Sequence, residues 1–387
     1  YLQYSDLLMG GGLVILYLSV FAAQSIYNLI DPMLTFFGMI IVTLIGVTIS
    51  IRNSTRTLSM ISFIGAFLTP SLVGVGNLGE FITFTYVTIL NLGILGILLY
   101  KKWMNLVLAG LIGTWYVFGG WMISSYEHSL LTPTLLFMLV QFLIFNTASV
   151  FRIIVEKVKA EGLDYLVLLI TSLSFSLTAY ALVMPENTHY VSLGCVLIAG
   201  FYIVIALMSY KANPSDRTLN IFLPGLAVAF LTVAVPIEFS GHWIAAWWFI
   251  EALVLYILAS SSSSRGFQVA GVIVYVLGLT NLLSYIALYN RSEGYVIFFN
   301  GPFIMILMAV VIAYVIAYIY YRYGSITPEI QKRGMSAFVI IANVLTLYAL
   351  TSQVIAYYDL QMSTGMVSDN QITNWANTSV SILWALY

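Results

Sequence analysis

The chain has 387 residues, of which 61% are hydrophobic and only 7% are charged. Soluble domains carry about 25% charged residues, so this composition excludes an ordinary soluble protein. The formal net charge is -1, from 14 Lys and Arg against 15 Asp and Glu, which leaves no basic surface for nucleic acid. The single cysteine, Cys195, excludes a disulfide framework or a cysteine-based metal cluster within the chain.

Thirteen apolar stretches are long enough to cross a bilayer. A bilayer admits only helices and closed barrels, and these stretches are about twice as long as a barrel strand. We therefore predict an all-α, polytopic transmembrane helical bundle. A fourteenth stretch begins near Asn374 and stops at Tyr387, so we expect the chain to be a fragment, or the ordered part, of a longer protein. In chain order, the predicted spans are 7–29, 32–51, 57–76, 80–100, 103–125, 131–151, 164–184, 189–210, 218–237, 242–259, 266–289, 298–321 and 335–357.

The positions of the basic residues predict the orientation of the chain. Lys and Arg beside short loops remain on the cytoplasmic side of a membrane. Thirteen of the 14 basic residues follow even-numbered spans, and only Arg291 does not. The amino end is therefore predicted to be cytoplasmic. No loop is long enough for a folded soluble domain, so we expect one membrane domain over residues 1–387.

Two segments of the chain resemble each other weakly. Segment 56–59 (RTLS) opens the third span and segment 217–220 (RTLN) opens the ninth. Each is followed by Ala-Phe-Leu-Thr and then by a proline, Pro70 or Pro236. A parallel duplication predicts such a pattern, but chance similarity between apolar helices also produces it.

Glu251 is the one charged residue at the centre of a predicted span, within segment 247–253 (WWFIEAL). A charge at this depth costs several kcal/mol unless it is paired, protonated or facing water. The functional interpretation is a proton-binding or cation-binding carboxylate in a cavity. The alternative is a neutral Glu that forms a hydrogen bond with a neighbouring helix.

The segment from the ninth span into the tenth contains the other candidate site residues. Prolines remove a backbone donor, so we predict helix breaks at Pro224 and Pro236, and also at Pro70 in the third span. Glu238 and His242 are candidates for an outer vestibule leading to Glu251, with Trp247 beside them. The alternative is a plain interfacial turn with tryptophans in the aromatic belt.

Three pairs of Glu and His fall in predicted outer loops, and their spacing does not resemble a metal-binding helix. We therefore predict no metal site and no cofactor. The pairs are Glu127 with His128, Glu186 with His189, and Glu238 with His242.

Two blocks of sequence resemble a bacterial family catalogued as domain of unknown function 2339. The first consists of segments 64–72 (IGAFLTPSL), 90–95 (LNLGIL) and 101–103 (KKW), and the second of segments 235–237 (VPI), 242–243 (HW) and 248–253 (WFIEAL). The resemblance implies a multispanning inner-membrane protein, often with a soluble coiled-coil segment before it and further spans after it. The family has no established activity, so the resemblance implies only that Pro70 and Glu251 belong to its shared pattern.

The sequence leaves three functions open. The leading hypothesis is transport or translocation of an amphiphilic lipid or cell-envelope polymer across the membrane. The alternative is a structural subunit that assembles with other membrane proteins. A membrane-embedded transferase is third, because the first outer loop offers only Asp31 as a carboxylate and all three histidines are predicted at the outer ends of spans or in outer loops, not inside the bilayer.

Overall fold

A computed structural model describes residues 2–74, 79–155, 158–183, 188–262, 264–289, 296–323, 328–363 and 369–387. In these ranges the regular structure is entirely helical, as predicted. Glu186 and Arg291, which the sequence predicts to lie in loops, are outside these ranges. The α-helices are α1 (Leu2–Ser25), α2 (Pro32–Asn53), α3 (Arg56–Val73), α4 (Gly79–Lys101), α5 (Met104–Ser125), α6 (Leu131–Ile154), α7 (Gly162–Val183), α8 (Thr188–Ala212), α9 (Arg217–Glu238), α10 (His242–Ser262), α11 (Arg265–Leu288), α12 (Gly301–Tyr323), α13 (Pro328–Ser363) and α14 (Asp369–Leu386).

Helices α1 to α13 each contain an apolar segment long enough to cross a membrane, which confirms the thirteen predicted spans. Helix α13 is longer than the predicted 335–357. Helix α14 is not among the candidate spans within the described residues, although the sequence predicted the start of a fourteenth. Polar residues at Asn370, Gln371, Asn374 and Asn377 lower its hydropathy.

The contacts divide the chain into two compact units, whereas the sequence analysis treated it as one domain. Unit 1 comprises Tyr1–Glu186 and Ile203–Phe222, and unit 2 comprises Asn187–Tyr202 and Leu223–Tyr387. The boundaries between the units fall partly within α8 and α9, where no change of composition marks them. A sequence reading based on polar linkers therefore could not find this division.

In unit 1, α3 packs against α1, α2 and α5, and α4 packs against α5 and α6. The Phe84 and Phe137 rings stack at 4.3 Å between centroids, and Trp121 meets Phe84 edge-on at 4.6 Å. Nearby, the buried Asn91 amide lies 2.6 Å from the Thr114 hydroxyl and 2.8 Å from the Gln141 carbonyl oxygen. Interhelical hydrogen bonds of this kind hold membrane helices in register.

In unit 2, α10 packs against α11 and α12, and α12 packs against α13. Tyr256 of α10 lies between the rings of Tyr320 and Phe338, at 5.5 and 5.4 Å. One face of α10 is thereby buried. Its other face is left for the candidate site described below.

The helices run continuously through the prolines at which the sequence analysis predicted breaks. Pro70 lies inside α3, and Pro224 and Pro236 lie inside α9. A proline leaves the carbonyl four residues earlier without its helical donor. For Pro70 that carbonyl belongs to Ala66, and the Tyr86 hydroxyl of α4 donates to it at 2.8 Å. A neighbouring side chain thus replaces the missing hydrogen bond, and α3 does not need to break.

Candidate functional site

A cleft of about 480 Å³ lies in unit 2 between α8, α9 and α10. Each helix contributes one stripe of side chains with the three- and four-residue spacing of a helical face. The walls are almost wholly apolar. The lining residues are His189, Ser192, Leu193 and Val196 from α8, Val228, Leu231, Ala234, Val235 and Glu238 from α9, Phe239 just after it, and Trp247, Ile250, Glu251, Val254 and Leu255 from α10.

Several apolar side chains of the cleft are exposed, although they lie within segments that could span a membrane. Leu193 and Val196 on α8 and Trp247 and Val254 on α10 each have more than two fifths of their surface accessible. No protein atom in the described residues covers these surfaces. In a bilayer these apolar surfaces would suit contact with acyl chains.

The end of the cleft at the start of α8 carries a polar cluster. Glu238, the last residue of α9, accepts a hydrogen bond from the Ser192 hydroxyl, and its two carboxylate oxygens lie 2.8 and 2.9 Å from His189 Nδ1. The carboxylate therefore sits over the first turns of α8, where the positive end of the helix dipole favours a negative charge. This contact offsets the unfavourable position of Glu238 at the negative end of its own helix.

A second polar group lies near the middle of the cleft. The Thr232 hydroxyl donates to Glu251 Oε1 at 2.6 Å and also lies 3.0 Å from the Val228 carbonyl oxygen. The other carboxyl oxygen, Oε2, is buried and has no hydrogen-bond partner among the described residues. Glu251 therefore has one carboxyl oxygen that no described residue binds, and a ligand in the cleft would reach this oxygen only after the side chain turned.

Thr232 is positioned for this role by Pro236 and Trp248. Pro236 leaves the Thr232 carbonyl without its helical donor, and the indole N–H of Trp248 donates to it at 3.1 Å. The hydrogen bond joins α9 to α10 about one helical turn before Glu251. It fixes the two helices so that the Thr232 hydroxyl meets the Glu251 carboxyl.

The structure brings together only some of the residues that the sequence analysis grouped. Glu238, Glu251 and Trp247 line the cleft, and Trp247 packs against Phe239 at 5.5 Å. The His242 ring instead contacts Trp243 and Tyr285, at 5.2 and 5.1 Å, and does not line the cleft. Pro70 belongs to unit 1 and Pro224 is not a lining residue.

Three residues of the site were not singled out as site residues from the sequence. Thr232 could have been predicted from the sequence, because it lies four residues before Pro236 and its carbonyl is therefore the one that lacks a helical donor. His189 and Ser192 carried no such signal, since their contact with Glu238 depends on how α8 and α9 pack. Among the described residues no group of three His, Cys, Asp or Glu side chains could hold a metal ion.

Comparison with protein families matched residues 1–290 to the model described as "Predicted membrane protein (DUF2339)". The matched region is about three quarters of the chain and contains every residue that lines the cleft. Comparison with curated proteins and with solved structures gave no match.

Proposed function

The chain belongs to the DUF2339 family of predicted membrane proteins, and we propose that it binds an amphiphilic envelope lipid in the unit 2 cleft and moves it across the bacterial inner membrane. The observation that carries this proposal is the cleft itself. It combines a lipid-exposed apolar wall with a polar cluster at one end and a carboxyl group, Glu251, part of the way along.

The apolar walls explain which part of a lipid fits, but they contribute little selectivity. An acyl chain that leaves the bilayer for the cleft exchanges one apolar environment for another, so the transfer gains almost no hydrophobic free energy. Discrimination must therefore come from the polar groups. These are the Glu238 cluster and the carboxyl group of Glu251.

The polar groups of the cleft are mainly hydrogen-bond acceptors. Glu238 supplies a carboxylate, which accepts but does not donate, and Glu251 supplies further carboxyl oxygens. We therefore expect a head group that carries donors, such as the amine of an aminophospholipid or the hydroxyls of a glycolipid. A head group without donors, such as choline, should bind less well.

Glu251 lies where it could assist a head group on its way through the membrane. Glu251 lies nine positions after His242, the first residue of α10, which corresponds to roughly 13 Å along the helix. A polar group at that depth lowers the cost of bringing a head group into the bilayer interior. The Glu238 cluster would receive the head group at the membrane surface, and Glu251 would support it on the way across.

Lipid movement in proteoliposomes tests this function. The probes are phosphatidylethanolamine and phosphatidylcholine, each labelled on an acyl chain with a fluorophore that an impermeant reductant quenches. The purified full-length protein should accelerate exposure of the ethanolamine lipid more than that of the choline lipid. Val254→Trp, which fills the cleft, should abolish the acceleration.

Ile257→Trp is the matched control, because Ile257 is on the same helix and equally exposed, at 49% against 47%, but does not line the cleft. It should retain the wild-type rate. Equal rates for Val254→Trp and Ile257→Trp would show that lipid does not pass through the cleft.

A further inference from the structure

Unit 1 contains a second cavity, of about 310 Å³, at the ends of α4 and α6 and the starts of α3, α5 and α7. We refer to it as the basic cavity. Unlike the cleft, it is lined by Arg and Lys side chains. Its lining includes Arg56, Lys102, Met104, Asn105, Glu161 and Leu163. The distribution of basic residues predicts that this end of the unit faces the cytoplasm.

Two cationic side chains reach the basic cavity from different parts of the chain. Arg56 is the first residue of α3, and its exposed guanidinium makes no hydrogen bond or ion pair with any residue that the structure describes. Lys102 lies between α4 and α5. Its backbone has φ of 60°, the left-handed conformation that glycine adopts at lower cost. The Asn105 amide adds a further donor.

The backbone around the basic cavity is also electropositive. Helices α3 and α5 both begin at its wall, and neither Thr55 nor Trp103, their N-cap residues, forms a side-chain cap. The N–H groups of a first helical turn carry a partial positive charge and are ready donors to an anion. Their contribution adds to that of the two cations and does not replace it.

Glu161 is the acidic residue in this lining. The Glu161 carboxylate contributes no favourable contact to a simple anion in the cavity. An anionic group that also carries a hydroxyl or amine would gain, because the carboxylate accepts a hydrogen bond from that donor. Phosphodiesters with such substituents have this chemistry.

We propose that the basic cavity binds a phosphate group that carries a neighbouring hydrogen-bond donor, at the cytoplasmic face of the membrane. The phosphate lies against Arg56, Lys102 and the starts of α3 and α5, and the donor lies against Glu161. Basic pockets between membrane helices bind anionic head groups in this manner. The phosphate comes either from a phospholipid head group or from a soluble molecule. This site is independent of the cleft in unit 2 and of the function proposed for it.

Ligand-induced thermal stabilisation of the purified full-length protein in detergent tests the proposal. The probes are phosphatidylglycerol, phosphatidylcholine and inorganic phosphate, the last compared with chloride at equal ionic strength. Phosphatidylglycerol should raise Tm more than phosphatidylcholine does. Each cation removed should weaken the apparent affinity about fivefold, so Arg56→Gln combined with Lys102→Gln should weaken it about 25-fold.

The chain offers a matched control for both charges. Arg52 and Lys101 are neighbours on the same side of the unit, but they do not line the cavity, and the Lys101 ammonium donates to Ser54 Oγ at 2.8 Å. Arg52→Gln with Lys101→Gln removes the same net charge and should leave the affinity within about twofold of wild type. If the lining variant does not fold, Lys102→Arg should retain binding and Glu161→Gln should weaken phosphatidylglycerol relative to inorganic phosphate.

The outcomes separate the two sources of phosphate. Stabilisation by phosphatidylglycerol alone assigns the site to a lipid head group, and stabilisation by inorganic phosphate as well assigns it to a soluble ligand. Equal losses in the lining and control variants, or equal stabilisation by phosphatidylglycerol and phosphatidylcholine with none by phosphate, would overturn the proposal.

Discussion

The indole N–H of Trp248 donates to the carbonyl oxygen of Thr232 at 3.1 Å, and this is the carbonyl that Pro236 deprives of its helical donor. The same device occurs in unit 1, where Tyr86 donates to the carbonyl of Ala66, four residues before Pro70. In both units an aromatic residue of the next helix in the chain completes a helix that contains proline. The two prolines do not correspond in the alignment of the Ala-Phe-Leu-Thr segments, because Pro70 follows Thr69 directly and Pro236 lies four residues after Thr232. The relationship between the third and ninth spans therefore stays a prediction.

A double-mutant cycle tests whether Trp248 compensates for Pro236. Trp248→Phe removes the indole donor and should lower the free energy of unfolding by about 0.6 kcal/mol, the average measured for hydrogen bonds between membrane helices, and by at most about 1.7 kcal/mol. In a Pro236→Ala background the backbone N–H returns, so Trp248→Phe should cost much less. Unfolding of the four proteins in mixed micelles measures the coupling, and additive effects would contradict the compensation.

Glu251→Gln tests whether the carboxyl group itself is needed, because the substitution removes the acid and keeps the side-chain shape. The amide keeps the volume and can still bond to Thr232, so Tm should remain near the wild-type value. Lipid movement should fall at least about tenfold, since an amide is a weaker acceptor than a carboxylate for a cationic head group. Proteoliposome rates at equal protein incorporation measure this. Wild-type movement by the Gln variant would remove Glu251 from the path.

The spans could be predicted from the sequence because a helix that crosses a bilayer must be about 20 residues long and mostly apolar. Glu251 was also predictable, since a carboxylate in an apolar helix is conspicuous on its own. The hydrogen-bond partner of Glu238, His189, could not be predicted from the sequence. His189 and His242 are both histidines near a predicted helix end, and only the packing of α8 against α9 determines that His189 makes the contact.

His189→Gln tests the polar cluster at the end of the cleft. The His189 side chain is 67% exposed, so solvent screens its contact with Glu238 and the contact should contribute little to stability. The preference for the ethanolamine lipid over the choline lipid should nevertheless change, because Glu238 is freed to bind head groups differently. His242→Gln, outside the cleft, should leave the preference unaltered. Identical preferences in both variants would argue against a head-group role for the cluster.

Single cysteines test the predicted orientation. In a Cys195→Ala background, Ser129→Cys and Ser215→Cys place exposed thiols between α5 and α6 and between α8 and α9. An impermeant thiol reagent should label position 129 in intact cells and position 215 only after the membrane is permeabilised. The reverse pattern would show that the amino end lies outside the cytoplasm, and the Glu238 cluster would then lie at the cytoplasmic face.

The most direct test of a lipid-binding cleft is to capture its occupant. A photoreactive benzoylphenylalanine placed at Val254, inside the cleft, should cross-link lipids in native membranes that are enriched in head groups with amine or hydroxyl donors. The same residue placed at Ile257, outside the cleft, should capture lipids in the proportions of the bulk membrane. Mass spectrometry of the two adducts gives both compositions. A clear enrichment at position 254 is the predicted result, and the same bulk composition at both positions would contradict the account.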